Sequence, residues 1–363
     1  MRVLYWSLTL WPNIGGVEVL TAKFLPALRE RGHEFVVVAP KNYTDLPDEE
    51  RYQGIPIHRL AFETAVPSGI DHVVEVREKV INLKRTFAPD LIHINGVGPT
   101  DFFHLTTTQA HKAPVVVTLH NPWLSQADAI VAQTLRAADW VVGVSAAILD
   151  RGRRLTPEIS DRCSVIYNGV APPFPPPKPL PFVQPRLLCL GRLVPDKGID
   201  VAINAFGLII NRFPHARLTI AGNGPLRSDL EQQAIRQGVG HAVDFIGWVV
   251  PDSVPSLIND YTIVLMPSRQ EPFGLVALEA ALMARPVVAT RVGGLAEIVV
   301  HEQTGLLVEN EDSQALAESA ALLLSEPEIA VQFGQAARRR AQDVFSWEQH
   351  IASYDALYRK LAP

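Results

Sequence analysis

Short apolar runs rich in Val, Ile and Leu recur along the chain, and segments of helical length separate them. The earlier runs are Arg2–Ser7, Phe35–Ala39, Leu91–Ile94, Val115–Leu119 and Trp140–Val144. The later ones are Leu187–Leu190, Arg217–Ala221, Val243–Ile246, Thr262–Met266 and Val287–Thr290. Near-continuous apolar strands alternating with helices predict parallel sheets covered on both faces, the α/β doubly wound pattern. The pattern occurs twice and breaks once, at Ala171 to Pro185, which reads APPFPPPKPLPFVQP. Proline lacks an amide donor and fixes φ, so this stretch is expected to be an extended connector. The predicted organisation is a Rossmann-like domain over 1–170, a proline-rich linker over 171–185 and a second Rossmann-like domain over 186–345.

Two local features qualify this frame. Pro26 falls inside the helix expected from Gly16 to Arg31, where an interior proline costs roughly 3 kcal/mol or a kink. The tail opens with Ser346-Trp347-Glu348-Gln349, a capping box. Trp347, Ile351, Tyr354, Tyr358 and Leu361 then form one apolar stripe on a final helix over 346–363. That stripe needs a docking surface, for which the N-terminal domain is one candidate.

Composition adds little beyond size. A chain of 363 residues exceeds the range of a single hydrophobic core. The net charge of -5 speaks against a nucleic-acid partner. Cys163 and Cys189 adjoin apolar residues and read as small core side chains. No apolar window approaches the ~18 residues of a membrane span, and no signal-peptide core follows Met1, so a cytoplasmic address is expected. Arg151, Arg153, Arg154 and Arg162 lie near Asp150 and Asp161. They read as a solvated face, with weak peripheral contact to anionic lipid as the sharper alternative.

The chemistry concentrates at Glu271-Pro272-Phe273-Gly274-Leu275-Val276-Ala277-Leu278-Glu279. Pro272 suits the first turn of a helix, and Gly274 clears space beside the backbone. Free amides at such a start, with the helix dipole, favour a diphosphate. Glu279 lies roughly 8–9 Å further along the axis. Two carboxylates flanking an anion site suit the hydroxyl-rich sugars on either side of a diphosphate. The plain alternative is a surface Glu at a helix start and a second Glu paired with an arginine.

The stretch resembles the E-x-F-G-x-x-x-x-E signature of retaining GT-B glycosyltransferases of family GT4. Gly191-Arg192-Leu193-Val194-Pro195-Asp196-Lys197-Gly198 is similar to that family's G-R-x-x-x-x-K-G loop. Further counterparts are Gly15-Gly16-Val17-Glu18, Tyr167-Asn168-Gly169-Val170, Ala221-Gly222-Asn223-Gly224-Pro225, Phe245-Ile246-Gly247-Trp248-Val249 and the Val287–Gly294 stretch. The resemblance implies two Rossmann-like domains facing each other across a deep cleft. It implies a donor site on the C-terminal domain and an acceptor site, for a glycan, lipid or small molecule, on the N-terminal one. Glu271 would hold the transferred sugar and Glu279 the ribose. Arg192 and Lys197 would hold the diphosphate, with Phe273, Gly274, Leu275 and Val276 forming the donor loop. Backbone groups at Gly247 and Val249 would border the base, and Gly222, in a lone G-x-G that a strand-to-helix turn also explains, would be a further donor contact. Gly15 and Gly16 would face the donor phosphates and sugar. His120 would contact the transferred sugar, with Asn121 and Trp123 on the same wall. The donor is expected to be a UDP-sugar, with GDP-mannose next.

No D-x-D triplet and no His/Cys cluster with metal spacing occurs in the sequence, so no metal and no other cofactor is expected. Two other classes stay open on the residues alone. A sugar-nucleotide epimerase shares the two-domain pattern. A nicotinamide dehydrogenase fits less well, because Gly96-Val97-Gly98-Pro99-Thr100-Asp101 lacks the third fingerprint glycine.

Overall fold

In the computed structural model the described residues are 1–13, 15–41, 46–120 and 129–363. They divide into two compact units. One is Met1–Tyr167 with Glu348–Pro363, and the other is Asn168–Trp347.

The first unit carries strands β1 (Arg2–Ser7), β2 (Glu34–Pro40), β3 (Glu49–Tyr52), β4 (Ile55–Leu60), β5 (Leu91–Asn95), β6 (Val115–Leu119), β7 (Trp140–Gly143) and β8 (Cys163–Val165). Among the described residues they form one sheet in the order β3-β4-β2-β1-β5-β6-β7-β8. Every pairing is parallel except β3 on β4. That antiparallel edge pair was not foreseen. Charged residues and Pro56 obscure its alternation, and it turns at Gln53-Gly54, both at positive φ. The helix Gly16–Glu30 runs through Pro26 without interruption.

Strands β5 and β6 are buried throughout, yet they carry His93, Asn95 and Thr118. Buried polar groups require partners, and the final helix Trp347–Leu361 supplies several. His93 Nδ1 lies 2.5 Å from Tyr358 Oη, and its Nε2 lies 2.8 Å from Thr118 Oγ1. Tyr354 Oη lies 2.9 Å from Thr118 Oγ1. Burial pushes His93 down to about 3, so the imidazole is neutral and one of its nitrogens accepts. The apolar stripe read from the sequence thus lies against this sheet, with Ile351, Tyr354 and Tyr358 buried.

The second unit has β9 (Arg186–Leu190), β10 (Arg217–Ala221), β11 (Val243–Gly247), β12 (Ile263–Met266), β13 (Val287–Thr290) and β14 (Gly305–Val308), ordered β11-β10-β9-β12-β13-β14 and parallel throughout. The short β14 was also unforeseen. Leu187, Cys189, Ile220 and Leu265 pack with Ile203, Phe206, Leu316 and Leu323 of flanking helices. The proline-rich stretch forms neither helix nor strand and is fixed to this unit. Asn259 Nδ2 donates to Pro176 O at 2.8 Å, Arg285 Nη1 to Lys178 O at 2.8 Å and Thr262 Oγ1 to Pro181 O at 3.0 Å. Side chains thus satisfy carbonyls that a prolyl segment cannot pair in a ladder.

Tyr358→Ala is expected to cost about 3–5 kcal/mol, as for other buried aromatics. Tyr358→Phe is expected to cost about 1–2 kcal/mol by leaving His93 Nδ1 unpaired. Urea unfolding measures both, and an unchanged midpoint for Tyr358→Phe would show the hydrogen bond to be energetically idle.

Candidate functional site

Strand order reverses at β9 in the second unit: β10 and β11 lie on one side, β12 to β14 on the other. In open parallel sheets, loops at the carboxyl ends of the strands flanking such a reversal part and leave a crevice. The loop after β9 carries Arg192 and Lys197, and the loop after β12 carries Glu271.

The two loops meet through their backbones. Gly198 has φ +60°, and a Cβ there would stand 2.0 Å from the Pro267 carbonyl oxygen. Gly293, after β13, has φ +47°, and its Cβ would stand 2.0 Å from the Glu271 carbonyl oxygen. Gly294 N donates to that same oxygen at 3.0 Å. Only glycine fits such approaches, so these positions set where Lys197 and Glu271 lie.

Lys197 Nζ donates to Glu271 Oε2 at 2.5 Å. The glutamate side chain is 9% exposed and the lysine 24%. Arg269 fastens the surrounding loops. Its Nη1 and Nη2 donate to the Asp200 carboxylate at 2.9 and 2.7 Å, and Nη1 also donates to Pro195 O at 2.7 Å. Its backbone amide donates to Asp196 O at 2.7 Å, and its guanidinium also pairs with Glu311. Arg269 was missed from sequence because its partners lie 42 to 74 positions away. The only local signal was its place two residues before Glu271.

The helix Leu275–Leu282 begins after Gly274, which has φ +109°. Pro272 is therefore not in the first helical turn, as expected from sequence, but in the bend before it. The left-handed residue between them breaks the helical path. Phe273 is buried with its ring edge-on to Phe345. The first-turn amides, including those of Leu275 and Val276, have no acceptor within the helix. Glu279 is in the second turn and is half-buried. No hydrogen-bond or ion-pair partner for its carboxylate occurs among the described residues, and burial pushes it up to about 8. The arginine partner of the plain alternative is absent there. Arg192 is exposed and likewise unpartnered among the described residues. Gly222 N donates to Gly247 O at 2.7 Å, joining the ends of β10 and β11, and Val249 follows, half-buried.

The first unit holds the remaining candidates. Gly15 precedes the helix that Gly16 begins. His120 follows β6, and its Nε2 lies 2.8 Å from Asn95 Oδ1 at the end of β5. Asn95 Nδ2 reaches Thr21 Oγ1 at 3.5 Å. If Asn95 presents its oxygen, His120 carries the proton on Nε2. Burial holds His120 down at about 3, so the ring is neutral. Asn95 and Thr21 were not singled out from sequence, although Asn95 ends a strand beside the sheet's own reversal between β1 and β5. Asn121 and Trp123 lie outside the described residues. Arg153 of the basic cluster pairs with Asp150 at 3.0 Å.

Residues 176–340 match the family described as glycosyl transferases group 1, and residues 14–174 match glycosyltransferase family 4. The chain is 31% identical over 290 residues to glycogen synthase of Mycobacterium tuberculosis, covering 75% of this chain and 69% of that protein. Its fold is similar to that of sucrose-phosphate synthase from Thermosynechococcus elongatus, with a TM-score of 0.83, 25% identity and coverage of 99% and 98%. Anabaena HepE, solved with UDP and glucose, gives a TM-score of 0.82 at 21% identity, covering 99% of this chain and 100% of that one, a likeness of fold. Both neighbours are GT-B glycosyltransferases, and this chain has the α/β architecture of two parallel-sheet domains.

A carboxyl raised above its ordinary value stays protonated in the folded state while the unfolded chain ionises. Its burden on stability therefore grows as pH rises from about 4.5 to about 8 and is complete above that. Glu279→Gln should accordingly raise stability at pH 9 by on the order of 1–2 kcal/mol and leave it nearly unchanged at pH 4.5. Melting curves at the two pH values check this, and equal gains at both would contradict the raised value.

Proposed function

The chain belongs to the group 1, family 4 glycosyltransferases, and we propose that it moves a hexose-type sugar from a nucleoside diphosphate donor to an acceptor hydroxyl with retention of configuration. The observation that carries this reading is the Lys197–Glu271 pair on two glycine-locked loops at the sheet reversal. A donor entering there separates the pair into two jobs. The ammonium turns to the diphosphate, and the carboxylate accepts hydrogen bonds from sugar hydroxyls.

Negative charge grows on the diphosphate as the glycosidic bond breaks. Lys197, Arg192 and the helix amides after Gly274 are the groups proposed to stabilise it. They supply positive charge without a metal, so the reaction is proposed to be metal-independent. Glu279 is proposed to hold the ribose; its lack of a partner among the described residues supports this, because a diol satisfies a half-buried carboxylate. Protonation near neutrality does not remove that role, since a carboxylic acid also donates. Gly222, Gly247 and Val249 are proposed to border the base, and UDP is the favoured nucleotide over GDP.

Gly15, Gly16 and His120 are proposed as further donor contacts. A neutral imidazole there exchanges hydrogen bonds with a sugar hydroxyl and does not act as an acid. The acceptor proton is proposed to pass to a donor phosphate oxygen on the same face. The acceptor is a glycan, a lipid or a small molecule.

Glu271→Ala is expected to lower turnover by about 10²–10³-fold with its melting temperature nearly unchanged. Near-normal turnover in a donor-consumption assay would refute the assignment. NMR of the product is expected to show the anomeric configuration of the donor. Turnover is also expected to persist in excess chelator, whereas abolition with rescue by a divalent ion would contradict metal independence. A thermal-shift panel of UDP-, GDP-, ADP- and dTDP-sugars is expected to show its largest rise with a UDP-sugar.

A further inference from the structure

The segment from Pro177 to Leu180, the turn at Ala284 and Arg285, and one face of the helix Pro327–Val344 line a half-open surface cavity of about 500 Å³ in the second unit. None of its lining residues belongs to the candidate donor site. Val331, Gln335, Arg338, Arg339 and Gln342 face it at three- and four-residue spacing, as one helical stripe must. The wall is fixed. A Cβ on Gly334 would stand 2.1 Å from the Ala284 carbonyl oxygen, so the helix lies directly on the turn that carries Arg285.

The charge lining is one-sided. Lys178, Arg285, Arg338 and Arg339 contribute to it, and among the described residues no acidic side chain does. Lys178 is neutralised by Asp260 at 2.5 Å. The three guanidinium groups form no ion pair among the described residues, and the one carboxylate whose field reaches Arg285 is Asp260, already held by Lys178. Arg285 is 1% exposed and donates only to neutral groups: Lys178 O at 2.8 Å, Asn259 Oδ1 at 3.0 Å and the Asn259 carbonyl. The Nε of Arg285 and the Nε of Arg338 are buried without an acceptor. Unpaired buried donors and clustered like charges both cost stability. A multiply charged anion relieves both, and guanidinium forks match phosphate oxygens. Leu180, Val331 and two prolines give the same cavity an apolar side.

We propose that this cavity is a second anion site, taking a phosphate or diphosphate group borne on a small apolar or amphipathic body. Arg338 and Arg339 hold the phosphate, and Arg285 supplies the positive floor. The site stands apart from the donor site, although the two share a helix. Leu275–Leu282 starts at the donor loop and ends beside Arg285, whose amide donates to Ala280 O at 2.9 Å.

The test is calorimetric titration with inorganic pyrophosphate at low ionic strength. It compares wild type, R338Q/R339Q and K197A. The wild type is expected to show a binding event that K197A keeps and R338Q/R339Q weakens at least tenfold. V331E, which places a carboxylate on the rim, is expected to weaken the same event. Melting temperatures near that of wild type show that these variants fold. Sedimentation with phosphatidylcholine–phosphatidylglycerol vesicles separates the sources of phosphate. Loss of vesicle binding in R338Q/R339Q assigns the site to a lipid headgroup, and loss of pyrophosphate binding alone assigns it to a free phosphate. Pyrophosphate and vesicle binding equal to wild type in R338Q/R339Q overturns the proposal. Loss of pyrophosphate binding only in K197A also overturns it while leaving the donor reading intact.

Discussion

Gly198 and Gly293 run so close to the carbonyls of Pro267 and Glu271 that no side chain could lie between. This contact between backbones governs where the second unit's candidate site residues stand. It brings the loop after β9 against the loop after β12, and the loop after β13 against the start of the Glu271 segment. A lysine and a glutamate 74 positions apart then share a hydrogen bond. Flexible side chains on separate loops would lose conformational entropy to hold that distance. Here the loops are positioned before the side chains meet. Arg269 adds a polar clamp, tying Asp200 and the Pro195 carbonyl to its own strand end.

The first unit meets its constraint differently. Its central strands carry His93, Asn95 and Thr118 in a setting without water. Each requires a partner, and none comes from the strand's own neighbours in sequence. Tyr354 and Tyr358 answer two of them from the far end of the chain, and Asn95 answers His120 and Thr21. Burial keeps the histidines neutral, so this network holds as hydrogen bonds rather than ion pairs.

The sequence carried the periodic elements well, because buried parallel strands are continuous apolar runs. It concealed β3, β4, β8 and β14, which are short or mixed in polarity. The candidate donor residues could be picked out since they are local: Glu271, Gly274 and Glu279 fall in one stretch, and Arg192 and Lys197 in another. What links the stretches was not readable. Arg269 and its acids, the Asn95 bridge to His120, and the resting place of the final helix all depend on contacts between distant positions. Pro272 illustrates a local failure, where a helix-start preference gave way to the left-handed turn at Gly274.

The chain leaves the first unit after Tyr167 and re-enters it at Glu348. The second unit is thus contiguous in sequence, and the first is not. During synthesis the ribosome finishes all of 168–347 before it delivers the tyrosines that His93 and Thr118 await. The nascent first unit therefore waits with His93 Nδ1 lacking Tyr358 and Thr118 lacking Tyr354, while the later-made unit already has every strand it needs. The order of folding should then run against the order of translation. The first half to be made is the last to be completed, because its final helix is the last segment delivered.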